Sequence, residues 1–244
     1  GVFEGLGKFD KPFKMHLKDK AISFAGSPRR IPLKLKDKVL MKLNEMEEVG
    51  VISKVNEPRE WINNIVVVEK GEKIRICMDP KYLNESLKDF RYPIPSLNEL
   101  RQDLKNAKYF SVLDLKDGFW HIDLDEDSRK LCSFTTPFGL YQFNRLPFGI
   151  KIASEIFQKY MSDTFGDLKG VKFYIDDLII FGKDLDEHDL NIKAVMLRAR
   201  EKGIKFNSKK VQFTESSVKF FGHIFSEDEV RVDPERIESI STIP

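Results

Sequence analysis

The sequence has few cysteines and lacks the features of a membrane or secreted protein. Its 244 residues include two cysteines, Cys77 and Cys132, outside any Cys-x-x-Cys pattern. We therefore expect two buried, free thiols in a reducing compartment rather than a disulfide or metal site. No apolar run approaches the ~18 residues of a membrane span, and residues 1–5 lack the basic and hydrophobic blocks of a signal peptide. The chain does not begin with Met, from which we expect a piece of a longer polypeptide.

A strong charge imbalance and a nucleotide-binding P-loop are also missing. Lys and Arg number 41 and Asp and Glu number 39, so the net charge is +2 and does not identify a nucleic-acid partner. The charge is unevenly distributed, because basic residues crowd positions 29–42 and 198–219 while acids concentrate around 176–189. A basic periphery around an acidic centre is typical of a protein that grips a polyanion and binds metal ions inside. Many solvated protein faces share this pattern.

Local sequence patterns predict a mixture of helices and antiparallel strands. Residues 33–49 place Leu35, Val39, Leu43 and Met46 at helical spacing before Gly50, which predicts a helix. Further helices are predicted at 96–106, with Ser96 and Glu99 as a capping box, and at 153–165, 186–202 and from 233 onward. Strands are predicted at 62–69 and 73–78, joined at residues 70–72 as a short hairpin, and at 109–115 as a buried central strand. Further strands are predicted at 130–136, 140–143, 171–175 and 178–181, and around Phe206, Phe213 and Phe220. The regular βαβ alternation of a doubly wound fold is missing, so the predicted class is α+β.

Three aspartates carry the chemistry. Asp114 lies near the end of a hydrophobic strand, and Asp176 and Asp177 lie at a predicted turn between two hydrophobic strands. A buried carboxylate is costly to keep charged, and adjacent acids repel each other, so this arrangement favours a divalent cation. Magnesium prefers oxygen ligands, and three carboxylates could hold the two ions that serve phosphoryl transfer. A pair of acids in a hairpin turn is also ordinary turn chemistry, and the pair alone leaves both interpretations open.

The residues around these acids resemble a known family. Residues 174–177 (Tyr-Ile-Asp-Asp) resemble the Tyr-x-Asp-Asp signature of reverse transcriptases, and residues 110–119 (Phe-Ser-Val-Leu-Asp-Leu-Lys-Asp-Gly-Phe) resemble the family's first catalytic motif. Further similar motifs are the nucleotide-pocket motif at 146–150 (Leu-Pro-Phe-Gly-Ile) and 153–158, the fingers motif at 74–79 and 83–84, residues 91–95, the primer grip at 220–224 and the start of the thumb at 232–234. These motifs occur in family order across residues 13–244, and their residues are similar to those of gypsy-type LTR retrotransposon Pol polyproteins.

The resemblance implies a right-hand polymerase fold of class α+β, with an antiparallel palm sheet flanked by helices. The implied subdivision is an N-terminal extension at 1–24, fingers at 25–88 and 123–147, a palm at 89–122 and 148–230, and the start of a thumb at 231–244. The thumb would then be mostly absent from this chain.

The resemblance also implies an activity and a set of site residues. The activity is RNA-directed and DNA-directed DNA synthesis, a nucleotidyl transfer from a dNTP to a primer 3′-OH. Asp114, Asp176 and Asp177 are the implied catalytic residues and, with the Leu115 carbonyl, the ligands of two Mg²⁺ ions, for which Mn²⁺ can substitute. The implied nucleotide-binding residues are Lys73, Arg75, Lys116, Asp117, Gly118, Phe119, Phe148 and Gly149. The implied primer and template contacts are Tyr174, Gln158, Phe221, Gly222 and His223.

The implied partners are a primed RNA or DNA template, dNTPs and other Pol domains, namely a thumb and connection, ribonuclease H and integrase. The implied location is intracellular, in cytoplasmic virus-like particles. The sequence departs from the family pattern at Lys81, Lys151, Ile152 and Ser154, none of which is a predicted metal ligand. The alternative function is a retired or host-adopted copy that binds nucleic acid without catalysis. For single residues the alternatives are a solvated Arg75 and purely core roles for Phe119 and Phe148.

Overall fold

The computed structural model describes residues 1–236, and its class is α+β, as predicted. The helices are α1 (Leu33–Glu48), α2 (Lys81–Ser86), α3 (Leu97–Asp103), α4 (Glu126–Leu131), α5 (Ala153–Phe165) and α6 (Leu185–Lys202). The strands are β1 (Ile52–Lys54), β2 (Asn64–Lys70), β3 (Lys73–Asp79), β4 (Tyr109–Asp114), β5 (Ser133–Thr136), β6 (Gly139–Phe143), β7 (Val171–Tyr174), β8 (Asp177–Gly182), β9 (Gln212–Glu215), β10 (Ser217–Phe220), β11 (His223–Ser226) and β12 (Val230–Val232). Within residues 1–236, no helix combines the length and apolarity needed to cross a membrane.

The chain divides into two compact units. Unit 1 comprises Gly1–Gly7, Tyr92–Gly118 and the chain from Ser154 onward, and unit 2 comprises Lys8–Arg91 and Phe119–Ala153. Unit 1 contains a four-stranded sheet in the order β7-β8-β4-β9 and a three-stranded sheet in the order β10-β11-β12. Unit 2 contains the β2-β3 hairpin and a three-stranded sheet in the order β1-β6-β5. All of these strand pairs are antiparallel.

In unit 2 the predicted amphipathic helix is confirmed. Its apolar positions Leu35, Val39, Leu43 and Met46 are the buried residues of α1. Gly50 follows the helix with φ of +82°, a left-handed conformation that glycine adopts without steric cost. The predicted hairpin is also present, and Lys70 pairs with Lys73 around a two-residue turn, one residue shorter than expected.

One predicted strand of unit 2 is wrong at its start. Residues 130 and 131 were expected to be extended, but they end α4, and β5 begins at Ser133. The helix forms because Asp125 caps it by accepting from the Ser128 amide, and acids in its first turn and bases in its last turn suit the helix dipole. Both cysteines are free, and Cys132 is buried as predicted, whereas Cys77 is only half-buried.

Unit 1 is built around β4, which pairs with β8 on one side and β9 on the other. Its residues from Phe110 to Asp114 are all buried, which agrees with the predicted central strand. The predicted capping box at Ser96 and Glu99 is present on α3. That helix ends at Asp103 rather than Asn106, because Asn106 adopts φ of +70°, outside the helical region.

The last helices and strands of unit 1 follow the prediction in part, and strands β11 and β12 were not predicted. Helix α5 and helix α6 are present, and Gly203 ends α6 in the left-handed conformation. The strand predicted around Phe206 is wrong, since Phe206 forms only an isolated bridge with Leu115. The Asp233 side chain accepts from the Glu235 amide, as expected of a helix N-cap, and the rest of the helix predicted there lies outside the described residues.

A buried hydrogen-bonded chain ties three elements of unit 1 together. Ser111 Oγ on β4 lies 2.8 Å from His188 Nε2 on α6 and accepts from the Thr214 amide of β9 at 2.9 Å. His188 Nδ1 lies 3.1 Å from Asp189 Oδ1. A serine, a histidine and an aspartate in series are the residue types of a hydrolase nucleophile site. Ser111 and His188 are both 0% exposed, however, so their role is to hold the sheet rather than to meet a substrate.

We expect Ser111→Ala to lower the free energy of unfolding by about 1 to 3 kcal/mol, because it leaves the buried His188 ring nitrogen and the half-buried Thr214 amide without their partner. Urea unfolding of both proteins measures this difference. Ser216→Ala, at an exposed position, is the matched control and should change stability little. Equal stability of Ser111→Ala and the wild type would show that the hydroxyl does not hold the sheet.

Candidate active site

Strand register brings the three aspartates of unit 1 together. Asp114, the last residue of β4, pairs directly with Asp177, the first residue of β8. Asp176 belongs to the turn that joins β7 to β8, in which Tyr174 pairs with Asp177. Directly paired residues point to the same face of a sheet, so the side chains converge. Each carboxylate offers one oxygen, and these oxygens lie within 4.8 Å of one another.

The turn that carries Asp176 has a strained backbone, and hydrogen bonds from a side chain of α5 hold it in place. Ile175 adopts φ of +55°, an unfavourable conformation for a β-branched residue. Gln158 of α5, only 3% exposed, holds this turn in place. Its Oε1 accepts from the Ile175 amide at 2.7 Å, and its Nε2 donates to the Phe173 carbonyl at 3.1 Å. The Leu115 amide donates to the Asp176 carbonyl at 2.9 Å, which ties the turn to the end of β4.

Gly118 gives the turn the space that it needs. A Cβ atom at Gly118 would lie 3.2 Å from Asp176 Oδ2. A larger residue would therefore press on the carboxylate itself. The adjacent Asp117 is exposed with φ of +53°, and Lys116 donates its amide to the Lys205 carbonyl at 2.9 Å. The structure thus places predicted nucleotide-binding residues 116–118 directly after the strand that carries Asp114.

The electrostatics of the cluster favour a cation. Burial, and then the neighbouring Asp114, raise the pKa of Asp176 from 3.8 to about 6. Burial raises the pKa of Asp177 as well, and its interactions with Asp114 and Asp176 add to the shift. Both shifts have the sign expected for carboxylates that are withdrawn from water and crowded by like charges. A divalent cation would reverse this destabilisation, and the all-oxygen donor set suits a hard ion.

Lys210 is a site residue that sequence analysis missed. Its Nζ lies 3.2 Å from Asp114 Oδ2, and its positive charge lowers the pKa of both Asp176 and Asp177 against the larger upward effects. In the sequence Lys210 is one of many lysines in the basic stretch 198–219. No local pattern singles it out, because its place beside Asp114 depends on how the 3-10 turn before β9 lies against β4.

A second group of predicted residues lies in unit 2. The Arg75 guanidinium lies over the Phe148 ring, 5.0 Å from its centroid, a cation–π contact. The Phe119 and Phe148 rings are 5.4 Å apart and tilted by 52°. Arg75 itself is exposed, and both phenylalanines are half-buried, so these side chains are not enclosed in the core.

Gly149 completes this second group. Its φ is +106°, and a Cβ atom there would lie 2.9 Å from the Met78 carbonyl oxygen, so only glycine fits. Asn84 holds the same turn, because its Nδ2 donates to the Gly149 carbonyl and its Oδ1 accepts from the Lys151 amide. Lys151, a departure from the family pattern, forms an ion pair with Asp89 at 3.3 Å. Lys73 is exposed at the start of β3.

The predicted primer and template residues lie in unit 1. Phe221 and Gly222, with φ of +56° and +66°, form the two-residue turn between β10 and β11. Two positive φ values are those of a type I′ turn. The Phe221 ring meets Tyr174 edge-on, with centroids 4.1 Å apart, and His223 Nδ1 lies 2.7 Å from the Phe221 carbonyl. Tyr174 belongs to β7, so this group is linked to the strand that leads to the aspartates. The contacts of these residues with a primer, and the role of the Leu115 carbonyl, stay predictions.

Comparison with known proteins supplies the family. Residues 67–225 match the family model described as reverse transcriptase (RNA-dependent DNA polymerase). The chain is 35% identical over 219 residues to the "Retrovirus-related Pol polyprotein from transposon opus" of Drosophila melanogaster, covering 87% of this chain and 22% of that polyprotein. It is 36% identical over 172 residues to the corresponding polyprotein from transposon gypsy of the same organism, covering 70% of this chain and 17% of the relative. The chain therefore spans about a fifth of the length of each of these two relatives.

Solved structures show the same fold. A foamy viral protease-reverse transcriptase in complex with RNA/DNA hybrid matches the whole chain with a TM-score of 0.87 at 20% identity, and the match covers 33% of that protein. A second foamy viral structure, in complex with ds DNA, matches with a TM-score of 0.84 at 21% identity. The predicted polymerase fold and the predicted family are both confirmed. This chain belongs to the reverse transcriptase family, and its relatives include retrotransposon Pol polyproteins of the gypsy type.

Proposed function

We propose that this chain is the polymerase region of a retrotransposon Pol polyprotein and transfers nucleotides from dNTPs to a primer 3′-OH on RNA or DNA templates. The observation that carries the proposal is the convergence of Asp114, Asp176 and Asp177 at the end of one sheet. Family membership supports the reaction, and the fold's likeness to a protein solved with RNA/DNA hybrid supports the template.

The three carboxylates are proposed to hold two Mg²⁺ ions. When bound, such ions polarise phosphate oxygens and stabilise the attacking and leaving oxygens of a nucleotidyl transfer. The part of the protein is to present ionised carboxylates in a fixed arrangement. Asp114 and Asp177 are fixed by strand pairing, and Asp176 is fixed by the Gln158-held turn. Because the pKa of Asp176 is raised to about 6, its proton must leave before the site can be fully loaded.

The group in unit 2 is proposed to bind the incoming nucleotide. The Arg75 guanidinium, positioned by the Phe148 ring, supplies a fixed positive charge for a triphosphate, and Lys73 supplies a second. The exposed Gly149 backbone gives a ligand close access that a side chain would deny. Unit 2 corresponds in this proposal to the fingers and unit 1 to the palm.

The group in unit 1 formed by Tyr174, Phe221, Gly222 and His223 is proposed to contact the primer. Gln158 contributes by holding the backbone on the C-terminal side of Tyr174. The remaining Pol domains, a thumb and connection, ribonuclease H and integrase, are proposed as partners within the full polyprotein.

The alternative, a binding module without catalysis, is disfavoured by the same aspartates. Three carboxylates facing a polyanion weaken binding unless a cation neutralises them. A strained backbone at Ile175 and a hydrogen bond from its amide to the buried Gln158 keep the aspartates together. A module that only bound nucleic acid would gain nothing from that arrangement.

We expect Asp176→Asn to lower the rate of primer extension on poly-rA with Mg²⁺ by at least about a hundredfold, since it removes a main metal ligand while keeping the side-chain size. Primer–template affinity, measured by fluorescence anisotropy, should stay close to that of the wild type. Asp163→Asn, an exposed acid on α5, is the control and should extend primers normally. A rate above about a tenth of wild type for Asp176→Asn would rule out the metal assignment.

Asp176→Asn should also change how the melting temperature depends on pH. The pKa of Asp176 is raised from its ordinary value of 3.8 to about 6 in the folded protein. The stabilising contribution of this group is therefore fully present at pH values below its unfolded pKa, and it is lost as the pH rises through about 6. In EDTA, Asp176→Asn should therefore melt like the wild type near pH 4 and at a higher temperature than the wild type near about pH 8. A difference in Tm that did not grow with pH would contradict the raised pKa.

Phe119 is proposed to discriminate between sugars. It follows Asp114 by five positions, and its ring packs beside Phe148 of the proposed nucleotide group. A bulky ring against the 2′ position rejects a ribose by steric clash. We expect Phe119→Ala to raise kcat/KM for ribonucleotides far more than it lowers kcat/KM for deoxyribonucleotides, and Phe119→Tyr to preserve the discrimination.

A purely core role for Phe119 gives a different outcome. Truncation would then destabilise the fold by ~3 to 5 kcal/mol and slow both substrates equally. Measuring kcat/KM for both sugars on one template, together with urea unfolding, separates the two roles. An unchanged ratio would remove Phe119 from the nucleotide site.

A further inference from the structure

A lysine ammonium group, that of Lys210, lies beside the aspartate cluster of unit 1. Lys210 Nζ is 3.2 Å from Asp114 Oδ2, although the lysine side chain is 67% exposed and the aspartate side chain 10% exposed. An isolated exposed ion pair is often a weak and incidental contact. This pair differs, because backbone hydrogen bonds on both sides fix the position of the lysine.

The segment that precedes Lys210 is joined to the end of β4. The Asn207 amide donates to the Asp114 carbonyl at 2.8 Å, and the Lys116 amide donates to the Lys205 carbonyl at 2.9 Å. A 3-10 turn, Ser208–Lys210, follows, and the Asn207 side chain caps it by accepting from the Lys209 amide.

The segment that follows Lys210 returns to the same strand. Gln212 of β9 pairs with Val112 of β4. The main chain is therefore attached to β4 on both sides of Lys210, by Asn207 before it and by Gln212 after it.

An ammonium in this place has two effects on a cation that approaches the aspartates. It engages Asp114 Oδ2 in an ion pair, which leaves that oxygen less available to a metal ion. Its charge also repels a divalent ion at short range. The exposed, flexible stem allows the ammonium to move into water without breaking the fold.

We propose that Lys210 is a resident counter-cation, which neutralises the carboxylate cluster through Asp114 in the absence of divalent ions and must be displaced when a divalent ion binds. The inference rests on the proposed function, since it takes the aspartates to be a divalent-ion site. It assigns Lys210 a positioning role in the ion-free site: it keeps Asp114 in place and sets how readily the site is loaded.

The test is Mn²⁺ binding without nucleotide or primer, measured on the full chain by the loss of the electron paramagnetic resonance signal of free Mn²⁺. Lys210→Met keeps the apolar stem and removes the charge, Lys210→Arg keeps the charge, and Lys209→Ala removes a lysine from the adjacent position. We expect Lys210→Met to bind Mn²⁺ about two- to fivefold more tightly at low salt, with the gain shrinking as ionic strength rises. The other two variants should bind like the wild type.

Thermal melting gives the second readout. In EDTA, Lys210→Met should melt at a lower temperature than the wild type, and saturating Mn²⁺ should remove the difference. Unchanged or weaker Mn²⁺ binding by Lys210→Met would overturn the inference while leaving the proposed function intact. If the wild type itself bound no Mn²⁺, or if Asp177→Asn bound it equally well, the metal site of the proposed function and this inference would both fall.

Discussion

Mutual repulsion among three carboxylates at the buried end of a sheet is the constraint on which the rest of unit 1 depends. Like charges this close raise one another's free energy, and burial removes the water that would screen them. Two features of the chain reduce this repulsion without a metal ion. The pKa of Asp176 is raised, so that protons compensate part of the charge, and Lys210 compensates another part. The remaining repulsion is balanced by the strength of the sheet itself.

That strength comes from the position of β4. It is paired on both sides and buried from Phe110 to Asp114, and Ser111 joins it to α6 and β9 through hydrogen bonds. Gln158 holds the strained backbone of the neighbouring turn. Strained and electrostatically costly sites reduce stability and persist when the surrounding structure determines them strongly. Here the support for the site is spread over helices and strands from distant parts of the chain.

The sequence alone predicted what depends on local pattern. The apolar spacing of α1, the hairpin of β2 and β3, the capping box at Ser96 and the central strand with Asp114 all follow from neighbouring residues, and the ordered motifs identified the family. The predicted end of α3 at Asn106 and the predicted strand at residues 130–131 were wrong, because backbone conformation and helix capping there compete with the apolar pattern.

Contacts between distant segments escaped sequence analysis for a different reason. Lys210 and His188 have no local signature, since each acquires its role from pairing with β4. The segment around Phe206 has the composition of a strand, yet it forms a single bridge, because the chain continues into the 3-10 turn that carries Lys210. Such roles follow from the fold and cannot be read before the strand partners are known.

The direct pairing of Asp114 with Asp177 has a consequence for how this site tolerates change in chain length. Side chains alternate between the two faces of a strand, so adding or deleting one residue within β8 would turn Asp177 to the opposite face while the apolar pairing of the rest of the strand survived. The chain would still fold, but its carboxylates would no longer converge. Insertions and deletions in this hairpin are therefore more harmful than most substitutions, and copies that accumulate such length changes lose the site before they lose the fold.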